Sequence, residues 1–205
     1  MKSSLKYAFY LLFHPIDGFW DLKHEKRGTV RAALVFITAW FATNVLARVA
    51  TEFLFNTEYS VPLDIFKEFR SVFLLFLLFC VGNWSVTTLM DGKGTFGDII
   101  QVFGYASLPM TLLGLVNILC SHLFNASGMV YYQVIAAAAW VWFAVLLFIG
   151  VMNIHDYSLV KTIGTLLLTA VAIVVILFIV MVFYNIFSYL FSFVLTMYKE
   201  ISVRL

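Results

Sequence analysis

Between residues 162 and 197 the chain runs without a single charged side chain. A stretch that long and that apolar has no place in a water-soluble core, where helices keep a polar face. As one helix it would extend roughly 50 Å, beyond a hydrocarbon layer of about 30 Å. It therefore predicts a span to about Tyr184, followed by a bend near Asn185 or a protruding or interfacial end. The rest of the chain repeats the theme: hydrophobic residues make up 63% and charged residues 12%, with a mean hydropathy of +0.98. Soluble domains carry about twice that charge. The sequence predicts an all-α integral membrane bundle of about five transmembrane helices plus short interfacial helices. Residues 1–28 read as an N-terminal cytoplasmic or interfacial segment, and residues 29–205 as the membrane domain.

Composition also narrows the function classes. The net charge of +2 comes without a basic patch, so no nucleic-acid partner is expected. Cys80 and Cys120 both lie in apolar runs, which suits neither a disulfide nor a metal site. Asp17, Asp21, His24 and Glu25 offer oxygen and nitrogen donors, but Lys23, Lys26 and Arg27 are simpler partners for them, so no metal and no cofactor are expected. No nucleophile elbow, HExxH or phosphate loop is present. Ser121 and His122 are adjacent and so point in different directions on a helix, which leaves no dyad and no enzyme.

Taken in order, residues 7–13 are too short to span and read as an interfacial anchor, with Tyr7, Phe9 and Tyr10 at headgroup depth. A polar segment containing Trp20 leads to the first span, about residues 29–54, where Arg48 precedes Glu52 by one turn. Together they cost less in a membrane than either alone, and the pair reads as an ion pair near the outer boundary or a contact in a polar cavity. An acid-rich connection, with Glu58, Asp64 and Glu68, leads to the second span from Ser71. Near its end Asn83, Thr87 and Asp91 recur every four residues and share one face. Gly114, Asn117 and Ser121 share a face of the third span, 107–124, as small and polar packing residues do. A fourth span covers about 130–152, and the turn at 153–156 places His155 beside Asp156, where a hydrogen-bonded surface histidine is expected.

The segment from Asn83 to Pro109 carries the most information. Asp91-Gly92-Lys93-Gly94 breaks the helix, and Thr95 with Asp98 forms a capping box for a new one. That helix, 96–106, places Phe96, Ile99, Ile100 and Phe103 on one face and is expected to lie flat at the membrane surface. Pro109 then enters the first turn of the next span. Two uses remain open: a plain connector, or a docking site in which Phe96, Ile100 and Phe103 anchor the helix while Lys93, Asp98 and Gln101 face a partner. Cation placement orients the chain. With the N-terminus inside, Lys2, Lys6, Lys23, Lys26, Arg27, Arg31, Lys93 and Lys161 fall inside, and Lys67, Arg70, Lys199 and Arg204 outside. A cytoplasmic N-terminus and an external C-terminus in the cell membrane follow.

Gly104-Tyr105-Ala106-Ser107-Leu108-Pro109, preceded by the Asp-Gly-Lys-Gly-Thr-Phe-Gly-Asp turn and set between the second and third of five spans, resembles the Yip family of membrane proteins. These are named for interacting with Rab-type GTPases. Gly104, Tyr105 and Pro109 match the family's Gly-Tyr-x-x-x-Pro, and the short chain looks like the bacterial branch. The resemblance implies a five-span fold and action through protein association, and it adds Tyr105 and Pro109 to Asp91, Lys93, Asp98 and Gln101 as partner-docking residues. The expected partners are membrane lipid and a membrane protein, with a transporter complex or a second copy among the possibilities. A Pro-led span after a short cytoplasmic helix also resembles the coupling helix of ABC permeases. The competing function is a small-solute or ion path lined by Arg48, Asn83, Thr87, Asn117 and Asp91.

Overall fold

A computed structural model describes residues 2–56 and 60–204, and among them all regular structure is helical. The helices are α1 (Lys2–Phe13), α2 (Pro15–His24), α3 (Val30–Ala50), α4 (Ile65–Leu89), α5 (Phe96–Ala106), α6 (Leu108–Leu123), α7 (Met129–His155) and α8 (Leu159–Arg204). Five segments are long and apolar enough to cross a membrane: α3, α4, α5 with α6, α7, and α8.

Local chemistry sets the starts. Thr29 caps α3 by accepting from the Ala32 N–H, and Asp64 caps α4 by accepting from Phe66 and Lys67. Thr95 and Asp98 form the reciprocal capping box of α5. Pro15 occupies the first turn of α2, where its missing N–H leaves nothing unsatisfied. Glu58 of the acid-rich connection lies outside the described residues.

The expected surface helix is instead the centre of the bundle. α5 packs on α3, α4 and α7, and Ile99, Val102, Phe103, Tyr105 and Ala106 are all at most 1% exposed. Phe103 meets the rings of Phe76, Phe79 and Phe143 at 5.4–5.6 Å and Trp40 at 6.4 Å. Three residues explain the difference. Gly104 lies so close to α3 that an added Cβ would stand 2.5 Å from the Ala33 Cβ, so α5 seats directly against its neighbour. Ser107 and Pro109 bend the chain without ending the span, and the Ser107 hydroxyl donates to the Gly104 carbonyl at 2.8 Å across the bend.

The N-terminal segment is also more than an anchor. α1 and α2 form a helical hairpin against α7, burying Ala8, Leu11, Phe19 and Leu22 in the same core as the spans. Phe9 and Tyr10 stay exposed, but Tyr7 is buried and its hydroxyl donates to the Gly18 carbonyl. The long apolar stretch differs in the opposite sense. α8 is one unbroken helix of 46 residues, with no bend at Asn185, whose amide donates to the Met181 carbonyl one turn back. It packs on α4 only through its first half, and residues 177–200 are exposed throughout.

Candidate functional site

The face of the bundle that carries the N-terminal hairpin gathers most of the chemistry. α4 ends there, and the chain reverses through Met90–Gly94, with Asp91 in the left-handed region at φ 54°. The Gly92 N–H donates to the Thr87 carbonyl at 2.8 Å, and the Tyr157 hydroxyl donates to the Met90 carbonyl at 3.0 Å. The Gly94 N–H donates to Nδ1 of His155 at 3.2 Å, so the proton of a neutral His155 sits on Nε2. His155 is 1% exposed, and its Nε2 has no partner among the described residues. A Cβ on Gly92 would stand 2.5 Å from His155 Nδ1 and 2.8 Å from the Tyr157 oxygen. Glycine is what lets the turn close over the imidazole. The expected surface histidine is thus a buried one, because two glycines cover it.

An ion cluster ties the adjoining loop to this turn. Asp156, left-handed at φ 52°, faces Lys93 at 3.3 Å and Lys23 at 3.4 Å. Lys23 also donates to the Ile154 carbonyl at 2.6 Å, which pins α2 to the end of α7. Desolvation pushes the Asp156 carboxyl up, but the hydrogen bond from Lys93 and the Lys23 ammonium outweigh it and hold it below the ordinary aspartate range. Desolvation, with the Asp91 carboxylate behind it, pushes the Tyr157 phenol up, so it stays a neutral donor. The Lys161 ammonium lies 4.3 Å from the centre of the Tyr157 ring.

The proposed docking residues divide into three groups. Asp91 and Lys93 are exposed on the turn. Asp98 and Gln101 line a cavity of about 490 Å³ between α2, α3 and α5, together with Lys23, Lys26, Thr29 and Thr95. Tyr105 and Pro109 are core residues: Tyr105 is fully buried, with its ring edge-on to Phe36 at 5.1 Å and to Tyr7 at 5.9 Å. Their side chains cannot touch a partner, so they serve the fold.

The intramembrane polar residues do not meet in one cavity either. Asn83 donates to the Thr169 hydroxyl at 3.2 Å across the α4–α8 contact, and Thr87 donates to the Asn83 carbonyl within its helix. Asn117 shares the α6 face of Gly114 and Ser121, which packs on α3: Gly114 abuts Thr43, and the Ser121 hydroxyl accepts from the Glu52 N–H at 3.2 Å. Arg48 sits at the opposite end of the bundle and faces Glu68 at 3.6 Å, both side chains 13% exposed. Glu52 turns away to His122 at 3.6 Å, so the expected Arg48–Glu52 pair gives way to contacts between helices. Around Arg48 and Glu68 lies a second cavity of about 310 Å³, lined also by Asn56, Lys67 and Tyr132.

Sequence reasoning named Lys23 and Asp156 without joining them, and it passed over the threonines of α8. Thr162, Thr165 and Thr169 are all buried, and their three- and four-residue spacing marks one helix face. That signal was readable. The pairing of Lys23 with Asp156 was not, since 133 positions separate them.

Comparison with curated proteins and with solved structures gives no match. The family model of the Yip1 domain matches residues 9–183. That range runs from the N-terminal hairpin through the first half of α8 and takes in the buried Gly104, Tyr105 and Pro109, so the chain belongs to the Yip1 domain family.

Proposed function

We propose that this membrane protein acts by associating with other membrane proteins, as an accessory or scaffold subunit, and catalyses no reaction of its own. The observation that carries this is the turn at Asp91–Gly94. Two charged side chains are exposed on it, while His155 and Tyr157 hold its backbone in one shape and Asp156 pairs with the Lys93 side chain. A surface fixed before binding loses little entropy on association. The polar groups of the spans lie at different helix contacts, Asn83 against α8 and Asn117 on the α6 face that meets α3, rather than along one path, which supports the same reading over a solute path. The partner fitting such a surface is a membrane protein or its cytoplasmic subunit, a transporter complex included, or a second copy of the chain. The orientation consistent with cation placement has this face in the cytoplasm, the C-terminus outside, and a bacterial plasma membrane as host.

The test is affinity purification from native membranes in mild detergent, with mass spectrometry of near-stoichiometric companions. Companions present with the unaltered chain and lost with Asp91→Lys and Lys93→Glu are the expected result. Companions retained by both variants would overturn the proposal. A cysteine placed at Lys93 should react with an impermeant thiol reagent only from the cytoplasmic side; labelling from outside would reverse the orientation.

One observation favours a second reading. The cavity holding Arg48 and Glu68 is polar and lies at a span boundary, as an ion or solute entrance would. Flux in liposomes that falls with Glu68→Gln would shift the function to transport.

A further inference from the structure

The cavity between α2, α3 and α5 has a chemistry that the turn does not use. It opens on the bundle face where α3 and α5 begin and α4 and α7 end, the level at which lipid headgroups meet a spanning protein. Its volume of about 490 Å³ exceeds what a few waters fill. Lys26 lines it from a left-handed backbone position at φ 51° and makes no ion pair among the described residues. Lys23 adds a second ammonium to the lining, one already shared between the Ile154 carbonyl and Asp156. The only carboxylate there, Asp98, is already engaged: its Oδ2 accepts from the N–H and the hydroxyl of Thr95, each at 2.8 Å. These neutral donors leave the Asp98 charge in place, so the lining sets two ammonium groups against one carboxylate and favours an anion at its Lys26 end. Gln101 asks for the converse partner. Its Nε2 donates to the Gly97 carbonyl at 3.3 Å, while its Oε1 is buried with no donor among the described residues. An orphaned acceptor beside two cations calls for a ligand that carries a donor next to its negative charge.

We propose that this cavity binds the headgroup of a phospholipid whose phosphodiester bears a hydrogen-bond donor, ethanolamine or glycerol. The phosphate sits against Lys26, with the Lys23 ammonium beside it still held by the Ile154 carbonyl and Asp156, and the ammonium or hydroxyl meets Gln101. Choline, which has no N–H or O–H, satisfies only the first half of the site.

The experiment uses the full chain, stripped of lipid in detergent and examined by native mass spectrometry. Phosphatidylethanolamine, phosphatidylglycerol, phosphatidylcholine, diacylglycerol and inorganic phosphate are added in turn. Ethanolamine and glycerol lipids should be retained above choline lipid, and diacylglycerol not at all. Lys26→Glu should lower retention of every phospholipid roughly tenfold. Lys26 is exposed, so its variant keeps the fold, and an unchanged unfolding temperature verifies this. Gln101→Leu should leave choline lipid unchanged and bring the other two down to it. Equal retention by the Lys26→Glu chain, or diacylglycerol retained like the phospholipids, would overturn the site. Displacement of bound lipid by millimolar inorganic phosphate would overturn the lipid as its source in favour of a soluble phosphate ester. Companion proteins are measured separately through Asp91 and Lys93, so failure here leaves the association proposal standing.

Discussion

Gly92 has no room for a side chain, because His155 and Tyr157 already occupy the space that a Cβ would take. Gly92→Ala should destabilise the protein by about 1–3 kcal/mol, the range for overpacking a filled site. Unfolding in detergent measures it, and a conservative exposed change such as Lys93→Arg serves as the reference. Asp156 makes a prediction in pH. Its folded pKa is depressed, so the stability from its pairs with Lys93 and Lys23 stands in full above the ordinary aspartate value of about 3.9 and fades as pH falls through the lower folded value. The unfolding temperature of the unaltered chain should exceed that of Asp156→Asn at neutral pH, and the gap should close in acid. Asparagine tolerates the left-handed backbone, so the comparison isolates the charge. At this scale the chain disclosed the turn residues and the capping box, which depend on neighbours a few positions away. It did not disclose the burial of His155 or its pairing with Gly94, because that contact joins two turns 61 positions apart.

At the scale of the element, α5 is where expectation and structure part most. Its apolar face was legible from spacing, but a face suited to the membrane surface is equally suited to a protein core. The two placements give different mutational outcomes. In the core, Phe103→Ala should cost about 3–5 kcal/mol and Phe96→Ala far less, since Phe96 is 38% exposed. On the surface the two would matter alike, and denaturant titration of both variants separates the cases. The α4–α8 contact is more modest. A double-mutant cycle on Asn83 and Thr169 should give a coupling near 0.6 kcal/mol, the average for hydrogen bonds between spanning helices. The four-residue recurrence of Asn83 and Thr87 announced a polar face, and its partner face on α8 was equally visible in the threonines. What was missing was the assignment of one to the other.

Across the whole molecule, the packed core reaches from Tyr7 in the N-terminal hairpin to Ile154 at the end of α7, whereas α8 leaves it halfway along its length. Removing residues 186–205 should therefore leave the unfolding temperature of the bundle unchanged, as measured by circular dichroism in detergent. A large fall would mean that the exposed half of α8 carries stability through a second copy. The five spans and their membrane character followed from the sequence alone, because apolar run length and cap chemistry act over one or two turns. The seating of α5 at the centre, the exchange of Glu52 for Glu68 opposite Arg48, and the gathering of Lys23, Lys93 and Asp156 were decided only by the tertiary structure. These depend on which helix faces meet, and faces of similar apolarity are told apart by close fit, such as Gly104 against Ala33, rather than by periodicity.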